Sequence, residues 1–121
     1  MFKEHLKMVV DNVEGGLAAM LMGFDGIAID TYVRKDADRG LDIQTVGMEL
    51  SLIMTHIWKA AETLEEGNVE EVTIKTDKLL LVFRILTAEY FVLLGMTPTG
   101  NFGKARFLLR IQIPKLLAEL E

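Results

Sequence analysis

Two histidines, a run of glutamates and three arginines in the second half are the side chains of this 121-residue chain best suited to chemistry. His5 and His56 fall within helical periodicity and have no carboxylate and nucleophile at a spacing that would complete a triad, so they read as structural or surface histidines. Glu62, Glu65, Glu66, Glu70 and Glu71 cluster where a long helix should end. They would have to converge on one point to hold a metal, and a solvated face is the expectation. Asp36-Ala37-Asp38 looks like the start of a calcium loop, but the glycine and closing glutamate fall at the wrong distances. "GMTPTGNFGK" precedes a helix whose N-terminus could hold an anion, yet its glycines are too close together and no Ser or Thr follows Lys104. Arg84, Arg106 and Arg110 could grip an anionic ligand, and Arg106 or Arg110 could act as a finger in phosphoryl transfer. Their spacing on a core-packed helix favours salt bridges with the acidic surface instead. No catalytic residue, metal site or cofactor is expected.

The elements that would position these groups are sharply punctuated. Phe2, Leu6, Val9, Val10 and Val13 recur at helical spacing up to Gly15-Gly16, predicting a first helix closed by glycine. Leu17–Met22 and Ile27–Val33 are strand-like runs around Asp25-Gly26, a strong two-residue hairpin signal. Arg34 to Asp42 is a charged loop. Val46, Leu50, Ile53, Ile57, Ala61 and Leu64 form one stripe of a long second helix that Gly67-Asn68 stops. Residues 69–75, 78–86 and 90–96 read as a three-stranded meander. A last helix begins near Phe102 and carries Phe102, Ala105, Leu109, Ile113, Leu116 and Leu120 on one face, with Pro114 expected to kink or end its first half. The connections within each strand group are too short for parallel crossovers, which predicts an α+β domain with a largely antiparallel sheet buried on both faces.

Composition narrows the function. Half the residues are hydrophobic, enough for one core, and the length leaves room for a single domain, residues 1–121. Thirteen Lys and Arg against 18 Asp and Glu give a formal charge of -5, which disfavours non-specific nucleic-acid binding. The absence of cysteine removes disulfides and thiolate chemistry and fits a reducing compartment. Neither a signal peptide nor a membrane span is visible, so a cytoplasmic protein without membrane insertion is expected.

The chain carries more apolar surface than one monomer's core requires. Met48 and Leu52 lie one turn apart and nearly opposite the main stripe of the second helix, which suggests a second copy packed across a two-fold axis. Phe107 and Ile111 lie off the stripe of the last helix, where the first helix is expected to cover them. In a two-residue turn at Asp25-Gly26, Phe24 and Ile27 would be the last cross-strand pair, with Met22 and Ile29 beneath. Phe24 is then either a clasp that pins the hairpin or, with Asp25 and Ile27, a knob on which a partner docks.

The order of elements, the stretch "VEGGLAAMLMGFDGIAID", the run "AAETLEEGNVEEVTIKTDKLLLVFRI" and the ending "GNFGKARFLLRIQIPKLLAEL" together resemble the roadblock/dynein light chain family. Within it the chain is most similar to the bacterial MglB and MglC branch of gliding-motility polarity systems. The resemblance implies an α/β/α sandwich with a five-stranded antiparallel sheet, the first and last helices on one face and the central helix on the other. It implies a homodimer through the central helices and the edge strand after them, taking in Met48, Leu52, Thr55 and Val72. Members are non-enzymatic platforms for Ras-like small GTPases or other regulators, and MglB-type members activate the GTPase. The apolar turn Gly23-Phe24-Asp25-Gly26 departs from the polar "D-K-N-G" kind and points to MglC-like adaptors. These bind an MglB-type partner and a response-regulator-like polarity protein, reach the GTPase only indirectly, and would concentrate at the cell pole. The alternative is a GTPase-activating or co-activating protein.

Overall fold

The computed structural model describes residues 1–36 and 42–121. Of the charged loop expected at 34–42, and of the calcium-like triplet within it, positions 37–41 lie outside the described residues. Helix α1 (Phe2–Asp11) buries Leu6, Val9 and Val10. It stops at Asp11 rather than at the glycine pair. Gly15, at φ +86, instead turns the chain into the sheet, where a side chain would strike Thr97 and the Gly100 backbone.

Strands β1 (Gly16–Gly23), β2 (Ala28–Val33), β3 (Glu71–Lys75), β4 (Leu80–Ile85) and β5 (Tyr90–Met96) form one sheet in the order β2-β1-β5-β4-β3, every neighbour antiparallel. Its two faces follow the two-residue period of the strands. Ala19, Leu21, Val82, Val92 and Leu94 meet α1 and α3 (Phe102–Leu120), whereas Ala18, Met20, Met22, Phe83, Phe91 and Leu93 face α2 (Ile43–Leu64). The expected α/β/α layering, with the first and last helices on one side, is what the chain adopts. With a neighbour on either edge and helices above and below, β1 is buried along its whole length.

Helix α2 departs from its predicted stripe. It starts at Asp42, whose carboxylate accepts from the Gln44 and Thr45 N–H groups and from the Thr45 hydroxyl. Its buried positions are Ile43, Gly47, Ser51 and Met54, while Ile53 and Leu64 are 51% and 68% exposed. The reason is steric. A Cβ at Gly47 would come within 2.4 Å of Met20 Cε and 3.0 Å of Met22 Sδ. Small residues therefore make the line of closest approach, and the larger Val46, Leu50 and Ile57 pack half-buried along one flank.

Helix α3 runs unbroken through Pro114, which is exposed, so the expected end of its first half does not occur. Ala105, Leu108, Leu109 and Leu116 seat it on the sheet; buried Gln112 meets His5 Nδ1 at 2.9 Å, and His5 Nε2 lies 3.1 Å from Glu119. His5 thus ties α1 to α3, the structural role expected of it. Helix α1 leaves Phe107 and Ile111 uncovered, 51% and 41% exposed, against the expectation that it would shield them.

Candidate protein-docking site

The β1–β2 hairpin does not close as a two-residue turn. Gly26 N–H donates to Gly23 O and Gly23 N–H to Ile27 O, each at 3.0 Å, so Phe24, Asp25 and Gly26 form a three-residue loop. A two-residue type I′ turn needs left-handed backbone at both central positions, and only Gly26, at φ +87, has it. Asp25 instead accepts from the Ile27 N–H at 3.1 Å. In consequence Met22 opposes Ala28, Leu21 opposes Asp30, and Ile29 is the extra residue of a bulge. The predicted Phe24–Ile27 and Met22–Ile29 pairs are therefore corrected.

This geometry separates the three tip residues. Phe24 turns inward, its ring 5.0 Å from Phe91 and 6.3 Å from Trp58 in an edge-on arrangement, and Phe91 continues the contact to Phe83 at 5.6 Å. Its backbone N–H donates to Glu89 O at 3.0 Å, fastening the hairpin to the β4–β5 turn. Asp25 is exposed and Ile27 is 65% exposed. Phe24 pins the loop while Asp25 and Ile27 face solvent.

Two hollows share Phe24 and Ala88 in their walls. A slot of about 110 Å³ is lined by Phe24, Thr55, Trp58 and Ala88, and a shallower trough of about 270 Å³ by Gly23, Phe24, Asp25, Ala88, Glu89 and Tyr90. The floor is apolar and the rim carries the carboxylates of Asp25 and Glu89. Trp58 and Ala88 escaped the sequence reading. Trp58 stands about three helical turns beyond Gly47 on the same face, so the spacing that identifies the true contact line of α2 also finds it.

Of the residues expected at a dimer interface, Met48, Leu52 and Thr55 lie on the other flank of α2 from Val46, Leu50 and Ile57, at 100° per residue. Met48 and Leu52 are 56% and 69% exposed, and half-buried Thr55 donates to Ser51 O while also lining the Phe24 slot. Val72 is half-buried on edge strand β3, opposite Phe83 and on the sheet face that α2 occupies. Thr55 therefore joins the expected dimer flank to the hairpin site.

The arginines are placed elsewhere, on the α3 side of β3 and β4. Arg106 contacts Glu71 through both Nε, at 3.1 Å, and Nη2, at 3.0 Å, while Arg84 reaches the same carboxylate at 3.9 Å. The expected salt bridges are present for these two. Arg110 rests against the Phe107 ring at 6.0 Å. Glu62, Glu65, Glu66 and Glu70 are exposed, and among the described residues no group of three or more His, Asp or Glu side chains could hold a metal. The hairpin hollow has the makings of a contact surface: an apolar slot, an anchored aromatic ring and an acidic rim.

A layered α/β/α domain with one antiparallel five-stranded sheet in this strand order is of the roadblock/LC7 type. The comparisons agree. A crystal structure of MglC from Myxococcus xanthus is 42% identical over 98% of both chains, with a TM-score of 0.71. A roadblock/LC7 domain from Streptomyces avermitilis superposes with a TM-score of 0.83 at 13% identity, covering 98% of this chain and 96% of that one. Myxococcus xanthus MglB gives 0.82 at 11% identity, over 98% of this chain and 86% of its own. No family model and no curated protein matches. The chain belongs to the roadblock/LC7 family, among its MglC-like members. Among the described residues no helix is long and apolar enough to cross a membrane.

Proposed function

We propose that this chain is a non-enzymatic, homodimeric adaptor of an Mgl-type polarity system. On this reading it binds an MglB-type roadblock protein and a response-regulator-like polarity protein, and influences a Ras-like GTPase through them. The observation that carries the reading is the hairpin tip: Asp25 and Ile27 project beside an apolar slot whose wall, Phe24, is itself fixed by Phe91 and Trp58. An aromatic anchor held in place before binding lowers the ordering cost of an interface. The 42% identity to MglC supports placing it in such a system, and a related structure is described as gliding protein MglB from Thermus thermophilus. Direct GTPase activation has less support, because Arg106 is engaged by Glu71 and both Arg106 and Arg110 line a cleft beside α3 rather than the hairpin hollows.

The test mixes the protein with the MglB-type protein of the same cell and follows Trp58 fluorescence together with calorimetric binding. The double change Asp25→Lys, Ile27→Asp should abolish binding while leaving the melting temperature within a degree or two. Binding of neither the MglB-type nor the response-regulator-like protein would sink the adaptor reading. Accelerated phosphate release from a GTP-loaded Ras-like GTPase by this chain alone would establish the activating alternative.

A further inference from the structure

Helix α3 is charge-segregated: from Phe102 to Ala118 it carries Lys104, Arg106, Arg110 and Lys115 and no carboxylate, in a chain of formal charge -5. Its outer flank borders a cleft of about 360 Å³ lined by Glu70, Arg84, Gly103, Arg106, Phe107 and Arg110. Glu71, only 17% exposed, is an internal brace. It holds Arg106 from beneath and lies within ion-pair reach of Arg84, leaving further guanidinium donors unspent. Arg110, one turn beyond Arg106, has no carboxylate within ion-pair distance among the described residues. Phe107 and Ile111, one turn apart, sit bare beside these cations. The result is a strip in which cationic and apolar groups alternate at helical spacing, on the opposite side of the sheet from α2.

We infer that the α3–β3 cleft is a second docking surface, whose occupant is an acidic amphipathic helix of another protein. Such a helix would set aliphatic side chains on Phe107 and Ile111 and carboxylates against Arg110 and Arg106. The charge pattern selects an acidic partner, and the paired apolar residues select one with an apolar stripe rather than a free anion. The cleft is concave, which disfavours a flat bilayer. Since the hairpin tip lies apart from this cleft, both surfaces can be filled at once, as an adaptor requires.

The probe is a fluorescently labelled helical peptide of Glu and Ala with Leu at every third or fourth position, titrated into the full chain and read by anisotropy. Expected is saturable, salt-sensitive binding, weakened about tenfold by Arg110→Glu and similarly by Phe107→Ser. Changing the peptide's Leu to Ser should also weaken it, and Asp25→Lys, Ile27→Asp should leave it unchanged. Each variant's melting temperature confirms its fold. Failure to saturate, or indifference to both α3 substitutions, overturns the proposal. So does binding to vesicles of anionic phospholipid in place of the peptide, or self-association that Arg110→Glu abolishes, since the occupant would then be a membrane or a second copy. Loss of the hairpin interaction with this one intact would overturn only the reading of the tip.

Discussion

Phe24 and Phe91 stand with ring centroids 5.0 Å apart and planes inclined at 50°, joining the tip of the first hairpin to the start of β5. The tip is thereby part of the core rather than an appendage to it. Phe24→Ala removes the Phe91 contact and the edge-on Trp58 contact together and should cost about 1–3 kcal/mol in urea unfolding. Ile27→Asp, two-thirds exposed and outside this cluster, should cost less than about 0.5 kcal/mol. Equal losses from the two changes would contradict the separation of clasp from exposed tip.

Gly47 is the closest approach of α2 to the methionine layer of β1. Gly47→Ala adds helix propensity of about 1 kcal/mol but must displace the Met20 and Met22 ends, so the net change should be small. Gly47→Leu cannot be absorbed by moving methyl groups and should destabilise by about 1–3 kcal/mol or more. Thermal unfolding of both variants checks this; a tolerated leucine would mean that α2 lifts freely from the sheet.

The same glycine marks where the sequence stops being readable. Strand number, an antiparallel sheet covered by helices and the inner faces of the outer helices follow from apolar periodicity, because Leu6, Val9, Val10 and Leu109 are large where they are buried. Which helices share a side of the sheet is instead implied by the family resemblance. The contact line of α2 is invisible to that method, since Gly47 and Ser51 are buried for being small. At the hairpin, Asp25-Gly26 correctly marks the turn, but pairing depends on which residues take positive φ, and one residue of loop length moves Ile29 into a bulge. Spacing from Gly47 places Trp58 on the inner face of α2, but that it and Ala88 meet Phe24 is a matter of tertiary approach, which local spacing does not encode.

Asp42 caps α2, and its carboxyl is held below its ordinary value by the Thr45 hydroxyl first and then by the Thr45 and Gln44 N–H groups. The folded value lies below the unfolded one, so the cap's contribution is present above the unfolded carboxylate range and is lost as pH falls through the folded value. Asp42→Ala should lower the melting temperature near neutrality by roughly 3–6 °C. Below about pH 4 the wild-type advantage should shrink steadily, because protonation disables the acceptor. A gap that stays constant down to about pH 3 would show that the cap acts by backbone geometry instead of charge.

Met48 and Leu52 supply the test of assembly. They are more than half exposed on a helix that already rests on β1 by another line, and β3 offers a free strand edge beside half-buried Val72. The apolar flank exposes side chains to water and the open edge exposes unpaired backbone groups, and pairing with a second copy would cover both. Leu52→Asp places a carboxylate on that flank without touching the monomer core. Sedimentation at micromolar concentration should then give 13.6 kDa for the variant and twice that for the wild type. In chemical unfolding the wild type should show a midpoint that rises with protein concentration, and the variant one that does not. A wild-type monomer at these concentrations would remove the dimer from the proposed function and leave Thr55 as a wall of the hairpin slot alone.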